Sequence, residues 1–144
     1  QIDGLSELHQ SIKAFVDQNL AVLTQFADGI AFDGEMLLKN PDNLTTGELF
    51  QATSVVLKRD GEKLDVQYHL FDIVPLPEFL DAKQSSADYV TRRSVLGHLI
   101  GTDLVAPIKA LATITKADIP AWSKVAVDNG WEGIMLNTVD GHYK

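Results

Sequence analysis

Asp33 and Glu35 stand two residues apart in Ile30-Ala31-Phe32-Asp33-Gly34-Glu35-Met36-Leu37-Leu38-Lys39, where the even positions Ile30, Phe32, Met36 and Leu38 are apolar. Alternation at a period of two is the pattern of a strand, and it sets both carboxylates on the odd-numbered face. Side chains two apart on a strand lie about 6.5–7 Å from each other. At that distance two unit charges repel by roughly 2 kcal/mol at an effective dielectric near 20. A solvated face bears that cost without any function. A face lining a pocket bears it where a metal, an arginine or hydroxyl groups meet the charge. Phe71 is a second candidate. In the alternating stretch Leu64–Val74, residues Leu64, Val66, Tyr68 and Leu70 form the apolar face, and Phe71 falls opposite with Asp65, Gln67 and His69, directly before Asp72. Such a ring is either core beneath a covering helix or a flat surface for stacking. Glu132-Gly133, opening the apolar run Ile134-Met135-Leu136, is the third candidate: an acid at a strand start is either solvated or a ligand for a cation.

The elements that must position these residues can be read in order. Leu5, Leu8, Ile12, Phe15, Val16 and Leu20 recur at helical spacing, predicting an amphipathic helix over 4–20 with Asp3 as its N-cap. Ala27-Asp28-Gly29 turns the chain into the acidic strand, and Asn40-Pro41-Asp42-Asn43 ends it. Thr45 and Glu48 have capping-box spacing ahead of a helix through Leu49, Phe50, Thr53, Val56 and Leu57, although Thr53–Val56 also suits a strand. Asp60-Gly61 turns into the Leu64–Val74 strand, which Pro75 and Pro77 stop, opening a loop. Ser85 or Ser86 caps a helix over 87–100 with Tyr89, Val90, Arg93, Leu96 and Ile100 inward and Gly101 at its end. A strand over 105–114, a short helix capped by Asp118 and carrying Trp122, Val125 and Ala126, and a buried strand over 131–136 complete the reading. Interspersed strands and helices without a regular βαβ rhythm indicate an α+β fold with a largely antiparallel sheet flanked by helices.

Composition narrows the function. The 144 residues suit one domain, and 45% hydrophobic with 22% charged residues argues against disorder. No apolar run reaches membrane-span length and no signal peptide is visible. The absence of cysteine excludes disulfides, thiolate zinc sites and cysteine nucleophiles, and it suits a cytoplasmic protein. A net charge of −8 disfavours a nucleic-acid-binding surface built by this segment alone. His9, His69, His98 and His142 lack the i,i+4 pairing or carboxylate companion of a metal site, and Trp122 and Trp131 read as packing residues.

In this order and spacing the three candidates resemble the nucleotidyltransferase (adenylation) domain of ATP-dependent DNA ligases. Phe32-Asp33-Gly34-Glu35-Met36-Leu37 is similar to the family's Asp-Gly-Glu-Leu motif, and Tyr68-His69-Leu70-Phe71-Asp72-Ile73-Val74 to the strand where an aromatic precedes Asp. Asp88-Tyr89-Val90-Thr91-Arg92-Arg93-Ser94-Val95-Leu96 is similar to the arginine-bearing helix that follows, and Glu132-Gly133-Ile134-Met135-Leu136 to the Glu-Gly-Leu-Met motif. The likeness spans residues 1–144, and the fold it implies is part of a nucleotidyltransferase (ATP-grasp-like ligase) domain. It implies that Phe71 stacks on adenine, Glu35 faces the ribose side with Asp33 supporting it, and Glu132 helps hold Mg2+ at the phosphates. The glycines beside the acids would clear space for the ligand.

The activity implied is the sealing of nicks in duplex DNA with ATP, in replication and repair, by a cytoplasmic monomer that binds no membrane. The family's nucleophilic lysine lies in Lys-x-Asp-Gly. Ile2-Asp3-Gly4 resembles that motif without a lysine two residues before the Asp, and Asn137 stands where a lysine usually closes the fourth motif. The expectation is therefore an internal part of the adenylation domain, truncated at both ends and inactive alone. RNA ligases and mRNA-capping nucleotidyltransferases share the architecture, as would a non-catalytic domain of the same fold.

Overall fold

The computed structural model describes residues 2–40, 42–81, 85–108 and 114–143. Helix α1 (Ser6–Gln18) buries Leu8 and Phe15, with Ile12 packed between them, as the helical spacing requires. Asp3 does not cap it: the residue before α1 is Leu5, whose side chain makes no cap bond. Instead the chain bends at Gly4 (φ +74°), and the Asp3 carbonyl accepts from the buried Lys63 ammonium. Buried Asn19 ends α1, donating to the Phe15 carbonyl at 2.7 Å and accepting from the Ile100 amide at 2.8 Å. After the short helix α2 (Leu20–Leu23), Gly29 turns with φ +101° into strand β1 (Ile30–Leu38).

Helix α3 (Thr46–Lys58) begins with the capping box: the Thr45 amide donates to Glu48 Oε2 at 2.9 Å and the Glu48 amide to Thr45 Oγ1 at 3.3 Å. Its β-branched run is helical, and Thr53 is bonded both within the helix and to β1. The Thr53 hydroxyl donates to the Leu49 carbonyl and accepts from the Leu38 amide at 3.1 Å, joining α3 to β1.

Strand β2 (Val66–Pro75) runs antiparallel to β1, and the short β3 (Val105–Pro107) runs parallel to β2, in the order β1-β2-β3. Mixed pairing with helices on the flanks gives the α+β class. Leu64 stays outside β2 and exposed, because the backbone reverses at Asp65 (φ 59°). The strand ends at Pro75, which still pairs with Ile30, but helix α4 (Leu76–Leu80) follows at once instead of a loop. Pro77 sits in its first turn, where a missing N–H costs nothing.

Helix α5 (Tyr89–Gly97) is capped by Asp88, whose carboxylate accepts from the Thr91 amide at 2.9 Å, rather than by Ser85 or Ser86. Its buried face is Arg92 and Leu96, while Val90 and Ile100 are exposed and the helix stops well before Gly101. A 3-10 turn (Lys116–Asp118) leads into α6 (Ile119–Asp128), with Ala126 buried. Asp118 stands at the N-cap position, but its carboxylate accepts from the Thr115 amide and hydroxyl rather than capping α6.

The strand expected over 131–136 does not form. The segment is coil, with Met135 88% and Leu136 54% exposed. Apolar composition suits a segment to burial, but a strand also needs another strand's edge to bond its backbone, and none of the described strands pairs with it. The strand expected over 105–114 ends at Pro107, and residues 109–113, like Pro41 of the turn expected after the acidic strand, lie outside the described residues.

The main core joins Phe15, Leu23, Leu70, Ile73, Leu96, Leu99 and Val105, with Phe32 edge-on to Phe15 at 6.0 Å. The β1–β2 register decides what this core faces. Asp33 pairs with Asp72 but Gly34 pairs with Leu70, so Phe71 is an extra residue bulged out of β2. Strict alternation after Leu70 would point Asp72 into the core and Ile73 away from it. The bulge reverses both: Ile73 is buried against the core, and Asp72 joins Asp33 on the opposite face.

Gly34 serves this same place. A Cβ there would lie 2.3 Å from the His69 carbonyl oxygen and 2.7 Å from the Tyr68 ring. The space beside Asp33 is filled by β2 itself and not left open for a ligand. Around Gly133, in contrast, a Cβ would meet nothing within 4 Å. Gly34→Ala is therefore expected to destabilise the fold by about 1–3 kcal/mol, the range for overpacking. Urea denaturation with an unchanged midpoint would show that Tyr68 and His69 yield without cost.

Candidate functional site

Asp33 and Asp72 face each other directly across β1 and β2. Like charges in that position repel, and two groups offset the repulsion. Arg92, projecting from α5, places Nε 2.8 Å from Asp72 Oδ1, with the two side chains only 6% and 14% exposed. The same carboxylate oxygen accepts from the Ile73 amide at 2.8 Å. Across the pair, the Tyr143 hydroxyl donates to Asp33 Oδ2 at 2.9 Å. The hydroxyl thus meets the charge of Asp33, while the arginine meets Asp72, an acid that alternation alone did not put on this face.

Arg92 reaches further. Its Nη1 donates to the Ala87 carbonyl at 2.8 Å, the Gly141 carbonyl at 3.1 Å and the Ser85 hydroxyl at 3.3 Å, and its guanidinium lies 5.9 Å from the ring centres of both Tyr89 and Tyr143. Ser85, which was expected to cap a helix, is buried here instead. Its backbone amide donates to the Tyr143 carbonyl, its hydroxyl accepts from the Tyr143 amide, and its carbonyl bonds His142 Nδ1 at 2.7 Å. Residues 138–143 are in this way laid against the α5 start and over Asp33.

The electrostatics follow from the same neighbours. Burial, and secondarily the Asp33 charge, pushes the Tyr68 phenol up to about 12, and its hydroxyl donates to the Phe32 carbonyl at 3.1 Å. Burial and the bond to Asp33 also raise Tyr143, so both phenols stay protonated beside the acids. His69, expected to lack a carboxylate companion, pairs with Glu35 across the strands. Burial lowers its pKa despite the opposing pull of Glu35, which favours neutral imidazole.

The structure brings Asp33, Glu35 and Phe71 onto neighbouring positions of the antiparallel β1–β2 pair. Phe71 is 42% exposed at the crest of the bulge, and it is not covered as core. Glu132 is exposed in coil and has no described bond to the other three. Its neighbour Gly130 is tied instead to the α3 start by the Thr46 hydroxyl. Among the described residues no group of three or more His, Asp or Glu could hold a metal ion. Glu132 fits Mg2+ only as a single carboxylate toward an ion carried mainly by phosphates.

Arg92 and Tyr143 are the site residues that sequence reasoning missed. The available signal for Arg92 was an arginine one turn before Leu96 on a helix with an apolar side, which a purely apolar count passes over. The letters Lys-x-Asp-Gly also occur at Lys58-Arg59-Asp60-Gly61, a match that comparison with Ile2-Asp3-Gly4 alone passes over. The fold sets that match away from Asp33. Gly61 packs on Gly4 and the Lys63 amide bonds the Gly4 carbonyl, close to where Asp65 leads into the Leu38–Val66 end of the β1–β2 pair. Leu38 is five residues from Asp33, on the order of 17 Å along a strand.

The family model described as ATP dependent DNA ligase domain matches residues 6–144. No curated protein matches the chain. Among solved structures, one named Pmar-Lig_Pre superposes with a TM-score of 0.61 at 23% identity, over 93% of this chain and 32% of that one. That likeness establishes a shared fold, and the chain spans about a third of the neighbour's length.

Removing Arg92 would leave two facing carboxylates with Asp72 nearly buried. Arg92→Met is expected to cost about 3–5 kcal/mol, as for a buried pair broken on one side, and adding Asp72→Asn should recover part of it. A double-mutant cycle by chemical denaturation measures this. Independent, additive losses would mean that the pair does not couple.

Proposed function

The chain belongs to the ATP-dependent DNA ligase domain family, and from this we propose that it forms part of the adenylation domain of an enzyme that seals nicks in duplex DNA. In that reaction a lysine amine attacks the α-phosphorus of ATP, forming a P–N bond as pyrophosphate leaves. The AMP then passes to a 5′-phosphate, and a 3′-hydroxyl displaces AMP as the new phosphodiester forms. The family match favours this reading over an RNA ligase, a capping nucleotidyltransferase or a non-catalytic relative. One observation carries the site: an exposed phenylalanine held out on a bulge, next to two aspartates whose charge is met from within the protein.

In the reading we propose, Phe71 stacks on the adenine. Glu35 faces the ribose, with His69 neutral across from it, and Asp33, fixed by Tyr143, supports that edge. Glu132 contributes one carboxylate toward Mg2+, which when bound neutralises charge on the phosphoryl oxygens. The protein's part is mainly positioning and electrostatic stabilisation. We further propose a cytoplasmic monomer acting in replication and repair. For the membrane, no helix among the described residues is long and apolar enough to cross one.

In the full-length protein, Phe71→Leu should leave thermal stability nearly unchanged and weaken ATP binding by about 1–3 kcal/mol, the range for base–aromatic stacking. Phe71→Tyr should keep most of the affinity. Calorimetric titration decides: wild-type affinity with a lowered melting temperature would return Phe71 to a packing role.

The 144-residue chain by itself should not become adenylylated, since no described lysine is bonded to Asp33, Glu35 or Asp72. Incubation with radiolabelled ATP and magnesium, followed by a denaturing gel and peptide mapping, tests this. An acid-labile label on Lys58, or on any other lysine of the chain, would overturn it.

A further inference from the structure

A bulge frees backbone groups from the ladder, and something has to hold the displaced residue at one angle. On β2 the freed residue is Phe71, and consecutive arginines of α5 hold its own carbonyl and the side chain of the residue after it. Arg92 takes the Asp72 carboxylate at 2.8 Å. Arg93 spans the other edge: its Nη1 donates to the Phe71 carbonyl at 3.5 Å and its Nη2 to the Ile108 carbonyl. Those two carbonyls lie just past the end of β3 at Pro107, where the last bond to β2 among the described residues runs from the Ile108 amide to the Leu70 carbonyl at 2.8 Å. Arg93 therefore ties the bulge to the residue that follows β3. The attachment is not optimal for stability alone, because the buried Nε of Arg93 has no partner among the described residues.

We propose that Arg93 is a positioning residue for Phe71: it fixes the angle at which the ring leaves the sheet, and nucleotide affinity depends on it although it does not touch the nucleotide. The inference rests on the reading of Phe71 as an adenine platform. Arg93 is half-buried, and its only described bonds are to backbone carbonyls. Its removal therefore loosens the bulge without stranding a partner charge, unlike removal of Arg92. Lysine keeps the charge but cannot span two carbonyls with a planar fork.

The test is a double-mutant cycle on ATP affinity in the full-length protein, by calorimetric titration, with the melting temperature measured for every variant. Phe71→Leu, Arg93→Met, Arg93→Lys and the double variant Phe71→Leu/Arg93→Met are compared with wild type. Stacking on the scale of base–aromatic contacts sets the loss for Phe71→Leu at roughly 5- to 150-fold. Arg93→Met should lose much of the same factor, Arg93→Lys less, and the double variant no more than Phe71→Leu alone.

If Phe71→Leu binds ATP like wild type, the platform reading fails, and the inference with it. If Phe71→Leu weakens binding but Arg93→Met does not, or if the two losses multiply, the platform stands and the positioning role is overturned. Should Arg93→Met fail to fold, Arg93→Lys carries the same comparison. A lysine variant with wild-type affinity would then overturn the proposal.

Discussion

The ion pair between Arg92 and Asp72 is the constraint on which this site depends. Two nearly buried charges meet at 2.8 Å beside a second carboxylate, Asp33, that faces Asp72 across the β1–β2 pair. Desolvating such groups costs several kcal/mol each, so a buried pair contributes less to net stability than to specifying one arrangement over others. Here the arrangement specified is extensive. One guanidinium fixes the bulged strand through Asp72, the chain ahead of α5 through Ser85 and Ala87, and the segment 138–143 through Gly141. That last segment carries Tyr143, whose hydroxyl closes the loop of interactions on Asp33. An uncharged side chain at position 92 could fill the volume but could not bond these four partners from one planar group.

The bulge at Phe71 and the glycine at position 34 are two sides of one packing solution. An extra residue in β2 shifts the phase so that Ile73 enters the core and Asp72 leaves it. The strands then approach so closely at Gly34 that a single added carbon would overlap the His69 carbonyl and the Tyr68 ring. Tyr68, brought in by that approach, is buried enough to hold its proton up to about pH 12 and anchors its hydroxyl on the Phe32 carbonyl. The same irregularity that keeps the core apolar sets Asp72 beside Asp33, on the face where Phe71 stands exposed.

Much of this was legible in the residues. Periodicity placed the acidic strand almost to the residue, Thr45 and Glu48 announced their capping box, and the Asp-Gly-Glu and Phe-Asp motifs marked the family. These are local or nearly local signals, because a strand's faces, a helix start and a short motif are set by residues within a few positions of one another. The expectation that Phe71 stands off the apolar face also agrees with the structure, although alternation alone would have sent its neighbour Asp72 the wrong way.

What the tertiary structure decided is everything that depends on which distant groups come together. Asp88 rather than Ser85 caps α5, because Ser85 is drawn into bonds with Tyr143 more than fifty residues on. Arg92, polar by any count of its helix, lies buried because Asp72, Ala87 and Gly141 converge on it. The apolar run at Ile134–Leu136 reads as a strand but finds no edge to pair with among the described residues, and stays coil. The Lys-x-Asp-Gly letters at Lys58 have the motif's order but lie by the Leu38–Val66 end of the β1–β2 pair, away from Asp33. Sequence by itself fixes what each residue can offer: a charge, a ring, a turn, a face. Pairing across the chain decides which of those offers meet, since register, burial and ion pairing are properties of contacts and not of residues.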